Sequence, residues 1–123
     1  MYYATIIKTF SAAHSLRGYQ GKCEKVHGHN YKVEVELKAP RLDQTGMVTD
    51  FELLRQAVDK VFTRLDHQNL NEVTPFTKIN PTAEYLAKFV YEEMVLIFNS
   101  TRVKVSLVAV WENDGAKAAY TPK

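Results

Sequence analysis

His27 and His29, separated by a single glycine, are the residues whose types and spacing point most directly to chemistry. They stand just upstream of Tyr31-Lys32-Val33-Glu34-Val35-Glu36-Leu37-Lys38. There apolar side chains take the odd positions and charged ones the even, the period of a half-buried β-strand. Both histidines share the odd parity. A strand running back through them without a bulge turns both imidazoles to one face, where two neutral rings at i and i+2 can grip one metal ion. A lone His-x-His arises often by chance, and a third histidine makes it more telling. His14 closes the stretch Phe10-Ser11-Ala12-Ala13-His14, and a hairpin between the first two strands would bring it to the pair. Three protein ligands leave one position open on a tetrahedral zinc, the catalytic arrangement rather than the structural one. Such an ion polarises an oxygen and eases loss of a proton from water or an alcohol.

Further side chains could work beside that centre. Cys23, the only thiol, lies in Gly21-Lys22-Cys23-Glu24-Lys25. A single cysteine is often a buried, inert thiol. This one has a polar, loop-like setting, and nearby lysines and a metal would favour thiolate. Asp66-His67 follows a helical stretch. On its own it reads as a helix terminus with a histidine against the dipole. The functional reading is a carboxylate orienting an imidazole as acid/base partner to a thiolate. Glu112, after Trp111, is either a solvated strand-end carboxylate or an acceptor of two parallel N–H bonds from a guanidine-like ligand edge.

The elements that must position these groups follow from periodicity and punctuation. Residues 2 to 10 are rich in β-branched and aromatic types and read as a first strand. The second covers roughly 29 to 39 and stops before Pro40. Thr49-Asp50-Phe51-Glu52 resembles a capping box with Thr49 as the cap, and Val48 and Leu53 would form its staple. Phe51, Leu54, Val58, Val61, Phe62 and Leu65 repeat at helical spacing, predicting a helix to about Leu65. Asn80-Pro81-Thr82 offers a second helix start, with Asn80 as cap, Pro81 at the first position and Glu84 near the positive end of the dipole. Leu86, Phe89, Val90, Met94, Ile97 and Phe98 give its apolar stripe, ending near Asn99. A third strand spans Arg102 to Trp111, with Val103, Val105, Leu107, Ala109 and Trp111 on one side. Asn113-Asp114-Gly115 signals a hairpin turn into a short fourth strand, Ala116 to Tyr120. The order ββααββ implies an α+β fold, a four-stranded antiparallel sheet with two helices on one face.

Composition narrows the function classes. The 123 residues, 46% hydrophobic, predict a single domain over 1–123 with a real core. One cysteine cannot form an internal disulfide, which fits a reducing, cytoplasmic setting. No apolar run is long enough for a membrane span, and the N-terminus lacks a signal-peptide pattern. Sixteen basic against fourteen acidic side chains, a net of +2, is too balanced to argue for nucleic acid. A local basic patch for a phosphorylated small molecule remains open, from Lys22, Lys25 and Arg17.

Six motifs taken together resemble the 6-pyruvoyl-tetrahydropterin synthase family over essentially the whole chain. They are Phe10-Ser11-Ala12-Ala13-His14, Cys23-x3-His27-Gly28-His29-Asn30-Tyr31, Gly46-Met47-Val48-x-Asp50-Phe51, Leu65-Asp66-His67-x2-Leu70-Asn71, Asn80-Pro81-Thr82-Ala83-Glu84 and Trp111-Glu112. The three residues between Cys23 and His27 look like the 6-carboxy-tetrahydropterin synthase branch of the queuosine pathway; the pyruvoyl branch typically has a longer gap. The resemblance implies the tunnelling fold, with sheets closing into an oligomeric barrel, usually a homohexamer with active sites between subunits. It implies a lyase that converts 7,8-dihydroneopterin triphosphate to 6-carboxy-5,6,7,8-tetrahydropterin, releasing acetaldehyde and triphosphate. By the same carry-over His14, His27 and His29 hold one zinc per subunit and Cys23 is the base. Asp66-His67 relays protons, Glu112 anchors the pterin, and Thr82 and Ala83 lie near it. The alternatives are a pyruvoyl-tetrahydropterin synthase on the same substrate and a non-catalytic, zinc-stabilised pterin-binding ring module.

Overall fold

The computed structural model describes residues 1–19, 21, 25–98 and 100–123. Strand β1, Tyr2–His14, pairs antiparallel with β2, His27–Ala39. Their register is one to one, from Tyr2 opposite Ala39 to His14 opposite His27. Both strands run further than periodicity predicted: β1 carries on through Ala12-Ala13-His14, and β2 begins at the first histidine of the pair. Side chains alternate across a strand. Ile6, Phe10, Ala12 and His14 of β1 are therefore buried on one face, with Tyr31, Val33, Val35, Leu37 and Ala39 of β2.

Two helices cover that face. Helix α1, Phe51–Phe62, buries Leu54, Ala57, Val58, Val61 and Phe62. Asp50, not Thr49, is its cap, its carboxylate accepting from the Glu52 N–H. Leu53 is 56% exposed and makes no staple, and the helix stops at Phe62, short of Leu65. An ion pair between Lys8 and Asp59 ties α1 to β1. Between the helices, Gln68–Asn69 forms a two-residue strand, β3, parallel to β1 at Ala12 and Ala13. Helix α2, Ala83–Ile97, is capped by Thr82, whose hydroxyl accepts from the Tyr85 N–H. Asn80 is therefore not the cap, and Pro81 lies outside the helix.

Strands β4, Lys104–Asn113, and β5, Ala116–Tyr120, complete a five-stranded sheet in the order β3-β1-β2-β4-β5. The expected four-stranded antiparallel sheet thus gains a parallel edge strand. β4 also departs from strict alternation. Glu36 faces Leu107 while Leu37 faces Val105, leaving Ser106 as the extra residue of a β-bulge. The Ser106 hydroxyl donates to Glu36. Parity therefore switches in mid-strand. Val103 and Val105 face the helices before the bulge, and Val108 and Val110 do so after it. The expected one-sided row from Val103 to Trp111 is broken. Trp111 lies on the opposite face, opposite Lys32 and donating its indole N–H to Glu34. Glu112 lies on the helix side.

Candidate metal centre

The core stripe of β1 and β2 ends in histidines. His14 faces His27 and Ala12 faces His29 across the hairpin, so the three rings share one face and one strand end. Ring centroids are 4.6–5.0 Å apart, and one nitrogen from each ring lies within 4.8 Å of the others. The strand parity that buries Val33 and Val35 thus brings the predicted ligand trio together.

Hydrogen bonds set two of the three tautomers. His14 Nδ1 lies 2.7 Å from the Pro81 carbonyl, and His27 Nδ1 lies 2.7 Å from the Lys25 carbonyl. A carbonyl only accepts, so each Nδ1 carries the proton and each Nε2 keeps its lone pair. The two Nε2 atoms nevertheless stand 3.1 Å apart. Two lone pairs at that distance repel unless a cation lies between them. The third ring supplies a buried Nε2, that of His29, with no hydrogen-bond partner among the described residues. Converging, unprotonated imidazole nitrogens fit a divalent cation of the zinc type, and carbonyls on the far nitrogens are the usual support of such ligands.

Protonation agrees with this geometry. Burial lowers the His14 pKa below 6.5; the Pro81 carbonyl and Glu112 pull it up, and the two neighbouring imidazoles push it further down. Burial lowers His29 too, against Glu112. Both rings are therefore neutral at pH 7, the form that binds metal. Beneath them lies Tyr31, fully buried, its ring 5.3 Å from His29 and 5.8 Å from His14. Its hydroxyl has no partner among the described residues, and burial, reinforced by the Glu112 charge, pushes its pKa well up.

Two carboxylates stand at the rim. Glu112 Oε1 is 4.0 Å from His14 Nε2. Glu112 also lines a cavity of about 230 Å³ with Ala83 and Glu84 at the start of α2 and with Lys117. Asp66 accepts from the Ser11 N–H at 2.9 Å and lies 2.9 Å from His67 Nδ1. The Ser11 N–H, and behind it His67, hold the Asp66 carboxyl below its usual value. The His67 N–H donates to the Ser11 carbonyl, and its φ of 59° is left-handed, a costly setting for a residue with a Cβ. The His67 side chain is 81% exposed. With Ser11, Gly28, His29 and Asn30 it lines a second cavity of about 370 Å³. Asp66-His67 therefore sits beside the trio, held by β1 as well as by the end of α1, where the Asp66 N–H donates to the Phe62 carbonyl at 2.8 Å.

Other expected groups fall differently. Cys23 and Lys22 lie outside the described residues. Lys25 is exposed, its backbone carbonyl serving His27. Arg17 is committed elsewhere: its guanidinium donates to the carbonyls of Phe76, Ile79 and Asn71. The Thr82 hydroxyl is occupied as a helix cap, while Ala83 is buried beside Glu112. Ser11, Tyr31 and Pro81 fall within the quoted motifs, but the sequence assigned none of them a role in the site. Ser11 and Tyr31 do flank histidines at the parity rules' reach, and Pro81 is visible only through its carbonyl.

Sheet, helices and trio together define an α+β protein with a three-histidine cluster able to hold a metal ion. Residues 3–123 match the family model described as 6-pyruvoyl tetrahydropterin synthase. The chain belongs to that family of lyases. A relative from Archaeoglobus fulgidus, provisionally named 6-carboxy-5,6,7,8-tetrahydropterin synthase, is 41% identical over 109 residues, 89% of this chain and 86% of its own length. One from Synechocystis sp., named 6-carboxy-5,6,7,8-tetrahydropterin synthase, is 35% identical over 91 residues, 70% of this chain and 69% of its own. Among solved structures, 6-pyruvoyl tetrahydropterin synthase of Caenorhabditis elegans superposes with a TM-score of 0.87 at 26% identity, covering 99% of this chain and 96% of that one.

Proposed function

We propose that this chain is a zinc-dependent 6-carboxy-5,6,7,8-tetrahydropterin synthase. It would take 7,8-dihydroneopterin triphosphate and one water and release acetaldehyde and triphosphate, in queuosine biosynthesis in the cytoplasm. The observation that carries the reading is the pair of Nε2 lone pairs facing each other at 3.1 Å, with the unpartnered Nε2 of His29 beside them. His14, His27 and His29 would hold the ion. Zinc there supplies Lewis acidity toward the side-chain hydroxyls of the substrate.

The remaining work falls to the chain's own groups. Glu112, partly exposed, accepts the ring N–H and the 2-amino group of the pterin in two parallel bonds. Ala83, in the same cavity, and Thr82 next to it border the ring. Cys23 as thiolate removes a proton from a side-chain carbon. His67 then delivers or accepts protons at the rearranging side chain, with Asp66 on Nδ1 fixing its tautomer. Lys22 and Lys25 meet the triphosphate; Arg17, spent on three carbonyls, does not.

The assembly proposed is a homohexamer whose sheets close into a barrel. Open edges support it. Among the described residues β3 covers only Ala12 and Ala13 of β1, leaving the rest of that edge bare, and β5 forms the other edge. No described helix is long and apolar enough to cross a membrane.

Incubation of the zinc-loaded protein with 7,8-dihydroneopterin triphosphate tests the reading. Acetaldehyde and a carboxy-tetrahydropterin mass are expected. A pyruvoyl-tetrahydropterin mass without acetaldehyde would assign the activity named for the C. elegans structure instead. Unchanged substrate would end both.

A further inference from the structure

The segment after His14 is fastened in an unusual way. The Ser15 N–H donates to Asn71 Oδ1 at 2.8 Å, and Asn71 Nδ2 donates back to the Ser15 carbonyl at 2.9 Å. The Arg17 N–H donates to Asn80 Oδ1 at 2.8 Å, and Asn80 Nδ2 donates back to the Arg17 carbonyl at 2.9 Å. Each amide side chain thus satisfies both backbone groups of one residue, as a neighbouring strand would. The Arg17 guanidinium, gathering the carbonyls of Phe76, Ile79 and Asn71, draws the facing loop in from its other side.

That loop ends at the support of a ligand. Pro81, whose carbonyl sits on His14 Nδ1, is the next residue after Asn80. The Asn80 carbonyl also accepts from the Thr82 N–H at 2.8 Å, closing a turn around Pro81. The path from the His14 ring through Pro81, Asn80, Arg17 and Ser15 back to the His14 backbone is therefore closed. It fixes both ends of one imidazole: its backbone through residues 15–17, and its ring through Pro81.

We infer that Asn80, seconded by Asn71, is a positioning residue for the metal centre. Its side chain holds the Pro81 carbonyl against His14 Nδ1 and so keeps the Nε2 lone pair turned toward His27 and His29. The inference rests on the metal-centre reading. It differs from mere loop fastening in one respect: metal affinity falls further than loss of stability alone produces.

The experiment compares wild type, Asn80→Ala, Asn71→Ala and a stability control, Val58→Ala. Val58 is fully buried in α1 and outside this network. Each protein is stripped with chelator and titrated with zinc against a chromophoric competitor, and thermal midpoints of the metal-free forms are recorded. Asn80→Ala is expected to weaken zinc about 10- to 100-fold, the usual effect of losing a ligand's support. Asn71→Ala weakens it less. Val58→Ala, with its midpoint lowered at least as far, binds as wild type does. Cobalt loading gives a second readout: the visible bands shift in Asn80→Ala and stay in place in Val58→Ala. Unchanged zinc affinity in Asn80→Ala, or an equal loss in Val58→Ala, overturns the inference and leaves the metal-centre reading intact. Absence of stoichiometric zinc in wild type overturns both. Should Asn80→Ala not fold, Asn80→Asp keeps the acceptor for the Arg17 N–H but sets a charged carboxylate oxygen against the Arg17 carbonyl in place of the donor. Zinc binding is then expected to weaken about threefold or more, and wild-type affinity in that variant overturns the inference.

Discussion

One face of one hairpin is hydrocarbon at one end and imidazole at the other. From Leu37 back to Tyr31 the odd side chains of β2 are fully buried under the helices. Two and four residues further, at the same parity, come His29 and His27. On β1 the sequence Ile6, Phe10, Ala12, His14 makes the same passage. No separate device aims the histidines, because the alternation that fills the core also directs them. The apolar end sets register, since a one-residue slip would turn Val33, Val35 and Leu37 to solvent. The polar end inherits that register. Stability and function therefore separate along the strands rather than between elements.

If that division is real, substitutions at the two ends should fail in different ways. His29→Ala should abolish stoichiometric metal by elemental analysis and cut turnover by roughly 10³-fold, about 4 kcal/mol of transition-state stabilisation. Its metal-free thermal midpoint should stay near wild type. A lowered midpoint with metal retained would erase the distinction. At the dry end, Leu37→Ala should cost about 2–5 kcal/mol in denaturant unfolding. It should keep one metal per chain at temperatures where it remains folded. Glu112→Gln belongs to the polar end but outside the ligand set. It should raise KM by roughly 10- to 100-fold, the share of charge-assisted hydrogen bonds, with metal content unchanged.

Titration sharpens the contrast further. His14 and His29 have folded pKa values below 6.5, so the unfolded chain binds protons first as pH falls. Their contribution is complete above 6.5 and is lost as pH drops below it. Asp43 and Asp66, held low by hydrogen bonds, keep theirs until pH falls through 3.8. Denaturant midpoints of metal-free protein between pH 7.5 and 5 should therefore decline, and His29→Ala should flatten that decline. Smallest is Tyr31→Phe, at the boundary. Removing an unpartnered buried hydroxyl should leave metal-free stability unchanged or raise it by up to about 1 kcal/mol. A loss would mean that the hydroxyl has a partner.

The legible parts of the sequence were those governed by alternation. Odd parity in β2 and the His14 hairpin pairing brought the three histidines together, and helical spacing gave both helices. Boundaries were less visible. Thr49 and Asp50 are both capping types, as are Asn80 and Thr82, and propensity does not rank such neighbours. Strand β3 was hidden because two polar residues carry no period; contacts from Ser11 to Asp66 and His67 create it. Arg17 looked free for phosphate because carbonyl partners leave no trace in sequence. The side of Glu112 could not be read by counting from Val103, since Ser106 interrupts the count.

That interruption has a consequence for anyone who edits the chain. Were Ser106 drawn into the ladder as the partner of Glu36, every residue beyond it would shift by one and turn over. The indole of Trp111 would then swing in among the imidazoles, and the Glu112 carboxylate would be left facing Lys32 and Glu34 on the far side. One serine, remote from every reacting atom, decides whether an acid or an aromatic ring greets whatever enters.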